Sequence, residues 1–369
     1  MWDRQRAGAR AYPFYTLDVF CDRPFGGNPL AIVPEATGLT AEEMQRITRE
    51  FNLSETVFVL PPETAAGTCR VRIFTPGQEI PFAGHPTVGT AFLLAALGRG
   101  TTEPKAGRQG TIAGSTSEAI AGDLTANEIT LVLEEGIGPV PVVVQRLGDR
   151  PVSSQLVVTQ QPDRWAVDLT AAELAQILNL EPEDIGWTGA TLSQSPNPDL
   201  THPNTPHPES PGLESPNLAS PPWEPEAFSC GLPYCFVPVA TRSALGRIQL
   251  QIDRWQALLA PTPYPHLYCF CPEPEHPEAQ FRARMFAPAL GIGEDAATGS
   301  AVTALAGYLS ARSPVVGDRP ETLRWGIEQG VEMGRPSFLS LAVDRGAGSI
   351  VAIRVGGRSV PISEGTIYL

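Results

Sequence analysis

Apolar side chains first return at helical spacing after residue 39. The stretch LTAEEMQRI (39–47) opens with Thr40 and Glu43, the spacing of a capping box, and Met44, Ile47 and Phe51 follow on one face. LTAAELAQI (169–177) repeats the pattern, with Leu174, Ile177 and Leu178 behind Thr170 and Glu173. Strand-like runs follow: SETVFVLPP (54–62) after the first helix and GLPYCFVPV (231–239) after the second. RIFTP (72–76) then matches RMFAP (284–288), and GHPTVGTAFLLAALG (84–98) matches TGSAVTALAGYLSA (298–311). Four similar blocks in one order predict a duplicated chain.

The last pair of blocks decides the architecture. Val88, Ala91, Phe92, Leu93, Leu94, Ala95, Ala96 and Leu97 leave almost no polar face. Ala301, Val302, Ala304, Leu305, Ala306 and Leu309 do the same in the second copy. A helix that is apolar all round is buried on every side. Short strands with many Gly and Pro turns flank both copies. The expectation is an α+β protein of two similar domains, each a curved β-sheet or barrel wrapped around a central helix. The first domain spans 12–135 and the second 136–354, with 355–369 returning to the first as a last strand. Residues 187–228 are dense in Pro, Ser and Asn and read as an inserted surface loop. Residues 101–123 read as hairpins with long turns, and the first residues as a frayed tail.

Composition narrows the function classes. The 369 residues carry a net charge of −14, and Lys105 is the only lysine. An acidic chain without a basic block argues against nucleic acid and anionic membranes as partners. No apolar run is long enough to span a bilayer, and the N-terminus lacks the apolar core of a secretory signal. A cytoplasmic protein is expected. Cys21, Cys69, Cys230, Cys235, Cys269 and Cys271 are scattered without a CxxC pair and read as buried thiols. His202 and His207 stand five apart in the Pro-rich stretch with no cysteine near, so no metal site is expected.

Candidate chemistry gathers where the two apolar helices begin, at Gly84-His85-Pro86-Thr87 and Thr298-Gly299-Ser300. Helix N-termini expose N–H groups and favour anions, and glycine lets a ligand approach the backbone. Facing each other across a pseudo-twofold axis, the two ends would hold a small carboxylate. Glu55 lies at a helix-to-strand junction, and the matching place in the second half falls near Leu232-Pro233, which carries no acid. Asp295 lies just ahead of the second helix. A carboxyl in a dry cleft can carry protons near neutral pH, and His85 can donate a hydrogen bond or hold a charge. Each residue also has a plain structural reading: Asp295 as a helix cap, Glu55 as a solvated surface group, His85 as a satisfied structural histidine. The chain has no P-loop and no G-x-S-x-G elbow. The glycines of GIGEDAATG do not fit G-x-G-x-x-G, and no lysine sits in a Schiff-base setting.

At these residues the sequence resembles the PhzF-like (phenazine-biosynthesis) proteins of the diaminopimelate epimerase-like superfamily. The matching stretches are LDVFCDRPFGGNPLAIV (17–33), NLSETVFV (52–59), FTPGQEIPFAGHPTVGTA (74–91), RMFAPALGIGEDAATGSA (284–301) and EQGVEMGRPS (328–337). The resemblance implies a cofactor-independent isomerase that moves a proton on a small carboxylic acid bound between two domains. It implies Glu55 as general acid/base, His85 and Asp295 lining the substrate, and Ser54, Gly84, Gly299 and Ser300 as binding positions. It also implies a homodimer. Superfamily relatives that racemise with two cysteine bases carry them at the helix starts, where this chain has none. Two further readings stay open: a non-catalytic metabolite- or protein-binding module, and an epimerase or racemase using Glu55 and Asp295 as opposed bases.

Overall fold

The computed structural model describes residues 8–99, 126–187, 222–313, 320–346 and 349–369. The tail at 1–7, the hairpin stretch at 101–123 with Lys105, and residues 188–221 of the expected insert, with His202 and His207, lie outside the described residues. The fold is mixed α/β, with one large sheet and few helices.

The strand order of that sheet reads the same from both ends. From one end, Ser359–Tyr368 pairs with Ala11–Val19, followed by Asn28–Val33, Glu55–Leu60, Cys69–Phe74, Ala126–Glu135, Gly138–Leu147 and Arg150–Val158. From the other end, Asp163–Ala166 pairs with Glu226–Ser229, followed by Pro233–Pro238, His266–Cys271, Phe281–Ala287, Glu321–Gln329, Ser337–Gly346 and Ser349–Gly357. Parallel and antiparallel steps fall at the same places in both runs. The runs meet where Arg150–Val158 and Ser349–Gly357 pair antiparallel, with Leu156 opposite Val355.

Each run packs against one buried helix. Gly84–Ala96, buried from Gly84 through Ala95, touches Ala11–Val19, Asn28–Val33, Gly138–Leu147 and Arg150–Val158. Gly299–Arg312 touches Glu226–Ser229, Pro233–Pro238, Ser337–Gly346 and Ser349–Gly357. Both helices enter one apolar core, in which Phe92, Leu93 and Leu94 share a cluster with Val302, Leu305 and Tyr308. Two smaller clusters fill the outer sheet faces, one under Ala41–Phe51 and one under Ala171–Leu178, Arg242–Arg247 and Ile252–Leu258.

Strand register corrects the expected repeat. Leu30 sits opposite Glu55 on parallel strands, as Tyr234 sits opposite His266. GLPYCFV (231–237) therefore matches GNPLAIV (27–33), not SETVFVLPP. The counterpart of Glu55 is His266, not the Leu232-Pro233 region. The capping-box helices are not counterparts either. Ala41–Phe51 joins the strands at 28–33 and 55–60, whereas Ala171–Leu178 joins those at 163–166 and 226–229. Both capping boxes do form, through Thr40 with Glu43 and Thr170 with Glu173. A cap is local chemistry and carries no information about topology.

The insert is also shorter than 187–228. Trp187 and Trp223 pair as a bridge and stack at 4.9 Å, so the chain leaves and re-enters the frame there. Glu226–Ser229 is a framework strand. The C-terminal strand, Ser359–Tyr368, pairs with Ala11–Val19.

Removing apolar volume from either buried helix should unfold the shared core. Leu94→Ala and Leu305→Ala, both at fully buried positions, are each expected to cost about 2–5 kcal/mol by urea denaturation.

Candidate active site

Both buried helices start without a side-chain cap, unlike the helices at 41–51 and 171–178. Their first turns abut: a Cβ added to Gly84 would lie 2.9 Å from Gly299 Cα and 3.0 Å from the Ser300 nitrogen. Only glycines permit this approach. Two positive helix ends thus meet in the interior, where anions and hydrogen-bond acceptors are favoured.

Around them the fold gathers most of the expected residues. Asn28, which begins its strand, is the hub. Its side-chain amide donates to Asp295 Oδ1 at 2.8 Å and to the Ala297 carbonyl at 2.9 Å, and lies 3.3 Å from His85 Nδ1. The Ser54 hydroxyl donates to Asn28 Oδ1 at 3.2 Å. The Thr298 hydroxyl donates to Asp295 Oδ2 at 2.6 Å. Across the cluster, Tyr234 and Ser300 share a hydrogen bond of 2.7 Å between their hydroxyls.

The two hydrogens of the Asn28 amide go to Asp295 and Ala297, so the 3.3 Å contact at His85 Nδ1 does not by itself set the tautomer of that ring. Nε2 lies 3.3 Å from Glu55 Oε2, off the line of a hydrogen bond, and both atoms are buried without a hydrogen-bonding partner. Burial, reinforced by the charge of Asp295, raises Glu55 to about 8, with Ser54 opposing. Burial lowers His85 to about 3. Asp295 rises only to about 6, since hydrogen bonds from Thr298 and Asn28 oppose its desolvation. At neutral pH the cluster therefore holds a protonated Glu55, a neutral His85 and a mostly ionised Asp295. One carboxyl is free to exchange its proton, and the other is tied at both oxygens.

Among the described residues, no group of three or more His, Cys, Asp or Glu is arranged to hold a metal ion, and no helix is long and apolar enough to cross a membrane. A surface cleft of about 490 Å³ lined by Arg10, Glu43, Arg46 and Tyr368 contains none of these acid–base groups.

The sequence reading passed over Asn28, Tyr234, Gln329 and Glu135. Register pairs the last two: Cys69 opposite Leu133 corresponds to Phe281 opposite Ile327, so Glu135 corresponds to Gln329. Gln329 fastens the start of the second helix. Its Nε2 donates to the Asp295 carbonyl at 2.9 Å and to Thr298 Oγ1 at 3.0 Å, and its Oε1 accepts from the Thr298 N–H at 3.3 Å. Glu135 fastens the first helix through Thr87, whose hydroxyl lies 2.7 Å from the Ala83 carbonyl and 2.6 Å from Glu135 Oε1. A hydroxyl has one hydrogen and a carbonyl only accepts, so the second hydrogen belongs to Glu135. Burial, which raises Glu135 to about 8, agrees. A neutral carboxylic acid here does the work of the glutamine in the other half. EEG (134–136) beside EQG (328–330) was the available signal.

The family pattern of phenazine biosynthesis-like proteins matches residues 17–135 and 170–365. A Mesorhizobium japonicum protein described as an uncharacterized isomerase is 35% identical, over 98% of this chain and 99% of its own. The trans-2,3-dihydro-3-hydroxyanthranilate isomerase of Pseudomonas aeruginosa is 32% identical, over 96% of this chain and 99% of its own. A Bacillus anthracis crystal structure of a phenazine biosynthesis protein of the PhzF family shares the fold. It has a TM-score of 0.70 at 23% identity and covers 98% of this chain and 100% of the other.

Glu135 yields a signed pH test. Its folded pKa, about 8, exceeds the ordinary 4.5, so its stabilising contribution is complete below 4.5 and is lost as pH climbs to about 8. Glu135→Gln should therefore melt higher than wild type at pH 8 but alike at pH 4.5. Glu135→Ala should melt lower at pH 4.5. Differential scanning calorimetry across that range decides.

Proposed function

This chain belongs to the phenazine biosynthesis-like family, and we propose that it is an isomerase that relocates a proton on a small cyclic carboxylic acid held between the two helix ends. We read the two strand runs, each with its buried helix, as two similar domains. Their boundary then falls after Val158 rather than at 135/136, because the strands at 138–147 and 150–158 pack on the first helix. The substrate lies between the domains, with Ser54, Gly84, Gly299 and Ser300 around it.

Glu55 is the general acid/base. The observation that carries this reading is its buried, unpartnered Oε2 beside His85 Nε2 and the two uncapped helix starts. As carboxylate it removes a proton from a carbon next to an unsaturated or carboxyl-bearing centre. The helix ends and the His85 N–H stabilise the negative charge that develops. As acid it returns the proton to another carbon of the same substrate. A dry site keeps that proton from exchanging freely with water.

An epimerase using Glu55 and Asp295 as opposed bases fits less well. Asp295 accepts from Asn28 on one oxygen and from Thr298 on the other, and its pKa lies about two units below that of Glu55. It reads as a fixed charge that orients Asn28 and raises the Glu55 pKa.

The first substrate to test is the one named for the Pseudomonas aeruginosa relative, trans-2,3-dihydro-3-hydroxyanthranilate. Glu55→Gln should lower kcat by about 10²–10⁴-fold or more, with the substrate still bound, by stopped-flow absorbance. Full turnover by that variant would remove Glu55 from the mechanism. With wild type, kcat/KM should rise from pH 6, reach half its plateau near pH 8, where Glu55 ionises, and level about one unit higher.

A further inference from the structure

The strand register that makes His266 the counterpart of Glu55 also brings it to the substrate cleft. Glu55 begins its strand and lies against His85, the second residue of the first buried helix. His266 begins the corresponding strand, and Ser300 is the second residue of the second buried helix. Side chains alternate along a strand, so His266 shares a face with Tyr268 and Phe270. That face looks onto the second helix. Phe270 packs on Tyr308 at 5.4 Å, and the Tyr268 hydroxyl donates to Gln329 at 3.2 Å. The alternate residues Leu267, Cys269 and Cys271 belong to the outer cluster. The His266 ring stands 5.8 Å from the Tyr234 ring, whose hydroxyl is bonded to Ser300. Burial raises the Tyr234 pKa, and the charges of Asp295 and Glu55 add to it, so both acids lie within electrostatic reach of that hydroxyl.

His266 is 3% exposed, and its Nδ1 has no hydrogen-bond partner. Burial alone lowers its pKa to about 4, with no charged neighbour contributing. An unpaired buried imidazole is costly unless a ligand completes it. The two walls of the cleft differ in charge. The first carries Glu55; on the second, Tyr234, His266 and Ser300 stand at a helix N-terminus, and the acid there, Asp295, is tied at both oxygens by Asn28 and Thr298. An ammonium would be repelled by that helix end, whereas a carboxylate is favoured by it and supplies the counter-charge the imidazole lacks.

We propose that His266, with Tyr234 and Ser300, forms the wall that binds the carboxylate of the substrate, leaving the reacting carbon to face Glu55 on the other wall. The assignment rests on the cleft being a substrate site, but not on turnover.

Benzoate and its uncharged isostere benzamide are the probes, with binding measured by isothermal titration calorimetry at pH 7. Wild type should prefer benzoate by about tenfold or more, the range of a charge-assisted hydrogen bond. His266→Asn should lose that preference while keeping its affinity for benzamide. Glu55→Gln should keep the preference even where turnover is lost, which separates this assignment from the isomerase reading. An undiminished preference in His266→Asn, or none in wild type, overturns it. Thermal melts check folding, and His266→Gln serves as the second variant. If both variants fail to fold, the imidazole nitrogen resonances of His266 in wild type decide. The titratable neighbour facing that ring is Tyr234, with Asp295 and Glu55 within electrostatic reach of its hydroxyl. Benzoate should move the resonances to imidazolium values, and unchanged resonances would overturn the assignment.

Discussion

Two helices that begin against each other inside a protein create a demand that the rest of the structure has to meet. Their first-turn N–H groups have no side-chain cap, and their positive ends reinforce one another. The contact needs glycine at Gly84, where a Cβ would come within 2.9 Å of Gly299 Cα, and is tight at Gly299, where a Cβ would lie 3.3 Å from Gly84 Cα. It also needs both helices to be wholly buried, since otherwise water would satisfy those groups and the local field would collapse. The largely apolar composition of the helices and the long sheet that covers them fit that requirement.

The frame is symmetric, and its chemistry is not. Register relates Glu55 to His266, Ile80 to Asp295, and Glu135 to Gln329. Equivalence of the helix starts relates His85 to Ser300. A symmetric site would put like charges face to face at close range, which burial makes costly. Placing one free acid on one wall and none on the other lets a small asymmetric molecule lie in a single orientation. The Glu135 and Gln329 pair shows the opposite case. There the two halves keep one geometrical role with different residues, since a protonated carboxylic acid and an amide both donate and accept.

Much of this was legible in the chain. The buried helices announced themselves by lacking a polar face, and the Gly-His-Pro and Thr-Gly-Ser starts marked where they meet. Glu55, His85, Asp295 and Ser54 lie around the helix starts, and Ser300 lies on the second of them. What was misread was the repeat itself. The capping boxes at Thr40 and Thr170 look alike because every exposed helix start has the same unpaired N–H groups, whatever its place in the sheet. Apolar strands look alike for a similar reason. Only hydrogen-bond register distinguished GLPYCFV as the partner of GNPLAIV, and with it His266 as the partner of Glu55. Asn28 escaped notice because an asparagine after two glycines reads as a turn residue, and its four partners come from three segments far apart in sequence.

Several ionisable groups are kept neutral in this interior, and they differ in what surrounds them. Glu135 is engaged by Thr87, so its proton is part of a structural hydrogen bond. Glu55 has the same raised pKa, but it lies against His85 beside the two helix starts. A perturbed pKa alone would not separate the two, since desolvation dominates both. Nor would the hydrogen-bond count, since each leaves its Oε2 without a partner. The difference lies in what stands beside that oxygen: an unpartnered group is a standing cost, and a bound molecule can remove it where the group borders the helix starts. By that criterion Glu55 and His266 belong to the site and Glu135 to its frame. Burying the first two unpartnered lowers stability, and the apolar core around the two helices offsets that loss.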